Sequence, residues 1–560
     1  VDLLSLGAHI GNAFAGVDGG TTDAVGLNLQ NLDLGLALAS EKPNIDTPLT
    51  PVRRWMALQG TAGTVALTGV TGLTLQGSDL SLQMQRAATD SSLLDFSQQP
   101  QVVLTGSADS SPSVTLTLDA SQGEVTRASG QLNLDVFGFF RASGEFGIEK
   151  RIGSVTLADL PATTSVNEAA TAVNVNQLLI GGHDLAAFAG INGGLANATG
   201  LQLSGVSFGL ALQSERLTQA QRNQGLHARQ WTSLQSEVES AGFVGMDGLT
   251  LSVDSLHVDV NRAATDNTVV DYRNGATTLN IITGPAGTLA MTLDGSQGAL
   301  IRAAGHVNID LFGFVQLEGD LTFEKAAASR TVKLADGTDA QVTVLTVGGR
   351  NLSAFAGLHG GQSDATGLNL GSMDFALALL SDTQQTTRSW TSLQASAANA
   401  GLVGIDGLTV QGRDLQLQIN RAAHTTDAVV DYGLTAATND GNARNTELTL
   451  ATGPSTSVQL TMDGQAGQLL RASGYLQLDA FGFLQASGNF ALEKRTASVV
   501  LNDGVVSEDA TAARAARLRR AGAREPPGRA LSRPQARVDR DPGRRHRARQ
   551  IGRASCRERV

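Results

Sequence analysis

Apolar and polar residues alternate along most of this chain. Leu73, Leu75, Leu80, Leu82 and Met84 stand among polar neighbours, as do Val114, Leu116 and Leu118 and, far downstream, Leu415, Leu417 and Ile419. A period of two, sustained over roughly five to eight residues and rich in Thr, Val and Ile, predicts half-buried antiparallel strands rather than helices. Asp119–Gly123, Asp294–Gly298 and Asp463–Gly467 each separate two such runs and predict short hairpin loops with glycine at a positive φ.

The alternation itself repeats. AFAGVDGG at Ala13–Gly20 returns as AFAGINGG at Ala187–Gly194 and AFAGLHGG at Ala354–Gly361, at spacings of 174 and 167 residues. RRWMALQ at Arg53, RQWTSLQ at Arg229 and RSWTSLQ at Arg388 follow, one tryptophan to each unit. GVTGLTL, GMDGLTL and GIDGLTV come next, and then Arg86, Arg262 and Arg421, each ahead of two alanines. RASGQLNLDVFGF, RAAGHVNIDLFGF and RASGYLQLDAFGF close the pattern, running into Glu149–Lys150, Glu324–Lys325 and Glu493–Lys494. Recurrence at a fixed period decides architecture before local detail does. The prediction is an all-β fold: an elongated tandem array of three antiparallel β-meander units, with boundaries at 1–171, 172–340 and 341–510 and about ten to twelve strands in each. In Leu132–Ala142, read as one strand, Phe137 and Phe139 flank Gly138, and Phe312/Phe314 and Phe481/Phe483 repeat the arrangement. An aromatic pair on an otherwise polar face predicts burial between layers or units.

Charge changes the picture at one end. The formal net charge is −11, but residues 511–560 hold 16 arginines and 4 acidic residues, leaving 25 basic and 48 acidic residues before them. An acidic body is therefore joined to a basic, disordered tail. An arginine-rich tail ordinarily suggests nucleic acid. Here arginine with alanine, glycine and proline but no lysine reads as GC-rich DNA translated out of frame, and Gln550–Val560 resembles the translation of a synthetic sequencing adapter. No nucleic-acid partner is expected, and Cys556, the only cysteine, has no redox role in this reading. A cysteine-free acidic body fits work outside the cell. No run of 18 apolar residues exists to span a membrane as a helix, and three Trp and three Tyr do not furnish the aromatic girdles of a membrane barrel, so no membrane insertion is expected.

Candidate chemistry is sparse. Of the eight histidines only His9 and His183 occupy equivalent positions, with Arg350 in the third unit, which argues against a repeated catalytic or zinc site. No catalytic residue is assigned. Carboxylates recur more faithfully: Asp90, Asp266 and Asp427, then Asp95, Asp271 and Asp431, each of the latter beside Phe96, Tyr272 or Tyr432. Paired acids on a loop are candidate calcium ligands, since calcium prefers oxygen. Loop capping and an Arg–Asp contact are the alternative reading.

Taken together, AFAGxxGG, RxWTSLQ, GxDGLTV and RASGxLxLDxFGF resemble the long repeats of very large bacterial secreted or surface proteins, the adhesin-like β-strand-repeat giants. The resemblance covers residues 1–510. It implies an extracellular or cell-surface location and a structural or adhesive stalk, non-catalytic, whose partners are neighbouring repeats and cell-surface or matrix components. A calcium- or glycan-binding adhesion module and a carbohydrate-active enzyme on a β scaffold are the alternatives.

Overall fold

The computed structural model describes residues 1–42, 52–106, 112–158, 172–273, 277–326, 329–434, 444–453, 456–495, 499–500 and 506–507. Residues 1–496 form one compact body. In the second body, Val499–Val500 pairs with Val506–Ser507. The expectation for 511–560 lies outside the described residues.

Each unit contributes six long strands to one sheet. In the second unit they are Ala172–Ile191, Thr199–Glu215, Gln230–Val244, Leu249–Arg262, Leu300–Leu311 and Val315–Ala326. The first unit runs from Asp2–Val17 to Phe140–Thr156 and the third from Asp339–Leu358 to Leu484–Arg495 in the same pattern. Every strand pairs antiparallel with the next, and the sixth strand of one unit pairs with the first of the following one: Phe140 opposes Ala189 and Val315 opposes Ala356. With Arg330–Lys333 alongside, the three units make a single nineteen-stranded antiparallel meander.

Six long strands and one two-stranded hairpin per unit, with Arg330–Lys333 added in the second, replace the ten to twelve strands expected, in part for a local reason. Segments such as Gly77–Asp79, whose small polar residues suggest turns, are bulges inside continuous strands. Asp79, Ser255 and Asp414 take φ of 52°, 51° and 51° at the same point of the fourth strand, and the ladder to the fifth strand shifts there. Short polar side chains tolerate this left-handed conformation, so a bulge is built from the same residues as a turn.

Between the fourth and fifth strands the chain leaves the sheet and lies over it as a second layer. Each excursion holds a short hairpin: Gln101–Leu104 with Ser113–Leu116, Asn280–Ile282 with Thr288–Ala290, and Thr449–Gly453 with Thr456–Gln459. Asp119–Gly123 and its equivalents are single 3-10 turns capped by the aspartate, not hairpin loops. They carry the chain from this upper layer back to the sheet, so the apolar runs on either side belong to different layers. The hairpin sits directly on the first strand. A Cβ at Gly7, Gly181 or Gly348 would overlap the carbonyl oxygen of Leu104, Ile282 or Ala451, and glycine at that position lets the layers touch.

The core forms between the layers and crosses the unit boundaries. In the second unit Val175, Leu179, Ala211 and Trp231 of the sheet meet Tyr272, Leu279, Ile281 and Met291 of the excursion, and Val155 and Leu157 from the end of the first unit join them. In the third, Val332 and Leu334 of the preceding unit pack with Trp390, Val430, Tyr432, Leu450 and Leu460. Backbone bonds seal both junctions, from Asp271 N–H to Thr156 C=O and from Asp431 N–H to Lys333 C=O, each at 2.9 Å. Burying two aliphatic side chains is worth up to about 3–6 kcal/mol, a sizeable share of ordinary domain stability. The units are therefore energetically coupled, and their cores do not divide at the sequence boundaries. On the opposite face Ile148, Ile180, Leu210, Leu234, Val260 and Ile301 stand in register across six strands, with Ile148 and Ile301 exposed.

Candidate functional site

Polar clusters recur between the units among the described residues, Arg127–Glu149, Arg302–Glu324 and Arg471–Glu493 among them, and the geometry of three others decides what they can do. The first joins the start of the excursion to the third strand. Arg229 lies 5.2 Å from the centre of the Trp231 ring, forks onto Glu215 with two 2.9 Å bonds and reaches Asp266 at 3.1 Å. Arg53 repeats this over Trp55 with Glu41 and Asp90. Arg388 stacks on Trp390 at 5.0 Å and pairs with Asp382 at 3.6 Å. The indole N–H groups of Trp231 and Trp390 donate to the carbonyls of Thr268 and Ala428. Hydrogen bonds from Ser92 and the Arg53 guanidinium hold the Asp90 carboxyl below its usual range. Burial opposes ionisation of Asp266, and Thr268 and Arg229 outweigh it, so its pKa also falls. These carboxylates are committed to a guanidinium and to loop amides.

The second acid of each unit lies apart from the first. Asp95 accepts from the Ser97 amide and hydroxyl at 3.0 and 2.7 Å. Asp271 accepts from the amides of Arg273 and Gly295, and Asp431 from those of Gly433 and Gly464, with Asn445 on its other oxygen at 2.7 Å. Asp271 and Asp431 thus clamp the excursion to the start of its 3-10 turn. The Asp427 amide donates to the His424 carbonyl. Among the described residues no group of three or more His, Cys, Asp or Glu is placed to hold a metal ion. His9 and His183, equivalent in sequence, have different partners, Asp33 at 2.7 Å and Ser207 at 3.0 Å.

The third cluster escapes sequence reading. The buried Tyr432 hydroxyl donates to Ser392 Oγ at 2.9 Å, Ser392 donates to Asn420 Oδ1 at 3.2 Å, and Asn420 Nδ2 donates to the Val430 carbonyl at 2.7 Å. Tyr272, Ser233, Asn261 and Val270 repeat the relay. In the first unit Phe96, Ala57 and Gln85 stand at these positions, with Gln85 Nε2 donating to the Leu94 carbonyl. Hydroxyl donor and acceptor vanish together, and this joint change between units is the signal a sequence comparison could have used. Burial pushes both phenols well above their usual pKa, which suits a structural relay, not an acid or base.

The phenylalanine pairs correct an expectation. Leu132–Ala142 is not one strand: it breaks after Val136 into a tight turn with φ of 52° at Phe137 and 68° at Gly138, and Phe312 and Phe481 do the same. The Phe137 ring lies against Gly72 of the neighbouring turn, but all six rings remain exposed. Right-handed strand twist favours a turn with both central residues left-handed, and it places these rings on the rim of the sheet instead of between layers.

A shallow depression of about 600 Å³ opens where the second and third units meet, lined in part by Asn308, Asp310, Gln316, Glu318 and Phe355. Both Asp310 oxygens are engaged, by the Gly313 amide and the Gln316 side chain at 2.7 Å each. Glu318 lies 3.8 Å from His306. At the preceding junction Arg141 fills the equivalent space, paired with Asp135 at 3.1 Å. No helix of the described residues is long and apolar enough to cross a membrane. Compared with known protein families and with curated protein sequences, the chain matches none.

Proposed function

We propose that this chain is a structural segment, a non-catalytic stalk or scaffold of a large extracellular repeat protein, in which length is gained by adding units. The observation that carries this reading is the shared core at each junction. Val155 and Leu157, and again Val332 and Leu334, close the core of the following unit, so the cores of successive units are continuous. The engagement of Asp90 and Asp266 by arginines, and of Asp95, Asp271 and Asp431 by loop amides, supports structure over ligand capture. Neighbouring repeats are the principal partners in this reading.

The test uses the full chain. Thermal unfolding is followed with and without calcium and with a panel of soluble glycans, and culture polysaccharides are assayed for cleavage. Unchanged melting and no turnover are expected. A saturable rise in melting temperature with calcium or a glycan supports the adhesion module instead, and turnover of a polysaccharide overturns the non-catalytic reading.

A further inference from the structure

The face of the sheet turned away from the excursions is apolar as well. On the second strand of each unit the residues beneath the excursion are small: Gly35 and Ala37, Gly209 and Ala211, Ala376 and Ala378. The larger Leu36 and Leu38, Leu210 and Leu212, Leu377 and Leu379 alternate with them onto the other face. Leu38, Leu212 and Leu379, equivalent in the three units, are 36–38% exposed. The stripe from Ile148 to Ile301 recurs at the next unit, from Phe323 through Leu377 to Leu470 across six strands. An antiparallel sheet that is wet on one side carries polar residues there, so this face has the composition of a covered one.

Two recurring sequence motifs place cations beside the stripe. Arg86, Arg262 and Arg421, each ahead of two alanines, and Lys150 and Lys325, each after a glutamate, are exposed on this face. The strand register fixes their side: Lys150, Leu178, Leu212, Thr232 and Arg262 oppose one another strand by strand. Lys325, Leu345, Leu379, Thr391 and Arg421 do the same. Among the described residues none of these five cations has a hydrogen-bond or ion-pair partner, whereas Arg127, Arg229 and Arg302 on the excursion face are all paired. Over the six strands of the second unit, from the row of Leu212 to that of Phe208, this face holds Arg262 and Lys325 and no carboxylate. Glu149, Asp259 and Glu324 stand on the excursion face. With strands about 4.8 Å apart, the cations alternate at spacings of about 12 and 19 Å.

We infer that this face lies against an anionic lipid bilayer, on its surface and without spanning it. Unpaired cations beside exposed aliphatic side chains match phosphate headgroups beside acyl chains. A second copy of the face offers the cations no carboxylate, so charge disfavours its pairing with itself. The same chemistry recurs from unit to unit, and its cations fall at two different spacings. A rigid partner would have to match both, whereas a fluid bilayer supplies charge and acyl surface in any register. The carboxylates of the excursion face are screened over about 10 Å at ordinary salt. Each cation near such a surface strengthens the association about fivefold. The contact goes beyond the scaffold reading and holds whether or not the chain is a stalk.

The full chain with Cys556→Ser is labelled with an environment-sensitive fluorophore at Leu212→Cys, or at Val102→Cys on the excursion layer as a control. Vesicles of phosphatidylcholine mixed with phosphatidylglycerol are expected to shift the emission at 212 to the blue and leave 102 unchanged, and pure phosphatidylcholine to shift neither. The arginine-rich residues 511–560 are common to every variant, so the reading is the label and not the amount of protein on the vesicle. Lys150→Gln, Arg262→Gln and Lys325→Gln each lower the ratio of docked to undocked label about fivefold, and added salt lowers it with no substitution to disturb folding. Protein that sediments with vesicles while the label at 212 stays in water overturns the inference. So do equal shifts at both sites, an equal shift on pure phosphatidylcholine, or docking indifferent to all three glutamines. A label at 212 that shifts with protein concentration alone marks a second copy on this face and overturns it too. The scaffold reading is untouched by these outcomes and fails instead on calcium, glycans or turnover.

Discussion

Replacing Ser392 with alanine removes the middle of a buried relay. In the native third unit each group serves the next: Tyr432 O–H to Ser392, Ser392 O–H to Asn420, Asn420 N–H to Val430. Without the serine hydroxyl the phenol has no acceptor and Asn420 Oδ1 no donor, inside a core where Tyr432, Ser392 and Asn420 are all fully buried. Each orphaned group costs about 1–3 kcal/mol, so Ser392→Ala costs roughly 2–6 kcal/mol locally. Tyr432→Phe leaves the serine still donating to Asn420 and costs only about 1 kcal/mol. The double variant, which reproduces the Ala57 and Phe96 of the first unit, orphans Asn420 alone and costs about 1–3 kcal/mol. It is therefore more stable than Ser392→Ala by itself. Since coupled units do not unfold in two states, the measurement is hydrogen exchange of peptides spanning 427–433 under native conditions, where about 1.4 kcal/mol is a tenfold change in protection. Additive effects, or a Tyr432→Phe variant as damaged as Ser392→Ala, would refute the relay.

Other predictions follow from the same contacts. Gly348→Ala drives a methyl into the Ala451 carbonyl and lowers the stability of the third unit by about 1–3 kcal/mol, whereas Gly371→Ala, with open space, stays within about 0.5 kcal/mol, both read by native-state hydrogen exchange of the third unit. Arg229→Lys loses the fork onto Glu215 and the flat stack on Trp231; exchange in the 264–268 loop rises, and lysine does not rescue what alanine loses. The Asp320 carboxylate 2.9 Å away, with Glu318 behind it, raises the pKa of His306 above its ordinary value of about 6.5. Its contribution to stability is present in full below that ordinary value and fades as pH rises through the folded one. A proton NMR titration detects the shift, and Asp320→Asn moves it back.

Much of this fold was legible in the amino-acid sequence because it depends on local periodicity. Alternation of period two specifies strands whatever surrounds them, and three passages of the same motifs specify three like units in tandem. The single tryptophan and the arginine two residues before it already mark the place where the excursion is tied down. What the sequence left open is whatever depends on which layer a strand joins. Leu116 and Leu118 alternate like any sheet strand but lie in or beyond the overlying hairpin. The polar residues at Asp79, Ser255 and Asp414 serve equally for a turn or a bulge, and only pairing with both neighbouring strands selects the bulge. The phenylalanine pairs stand on the rim because a left-handed turn forms between strands whose twist is a property of the whole sheet. The reach of Val332 and Leu334 into the following core is likewise decided by tertiary structure: burial is shared between segments about a hundred residues apart, and no local pattern records which distant surface an apolar residue covers.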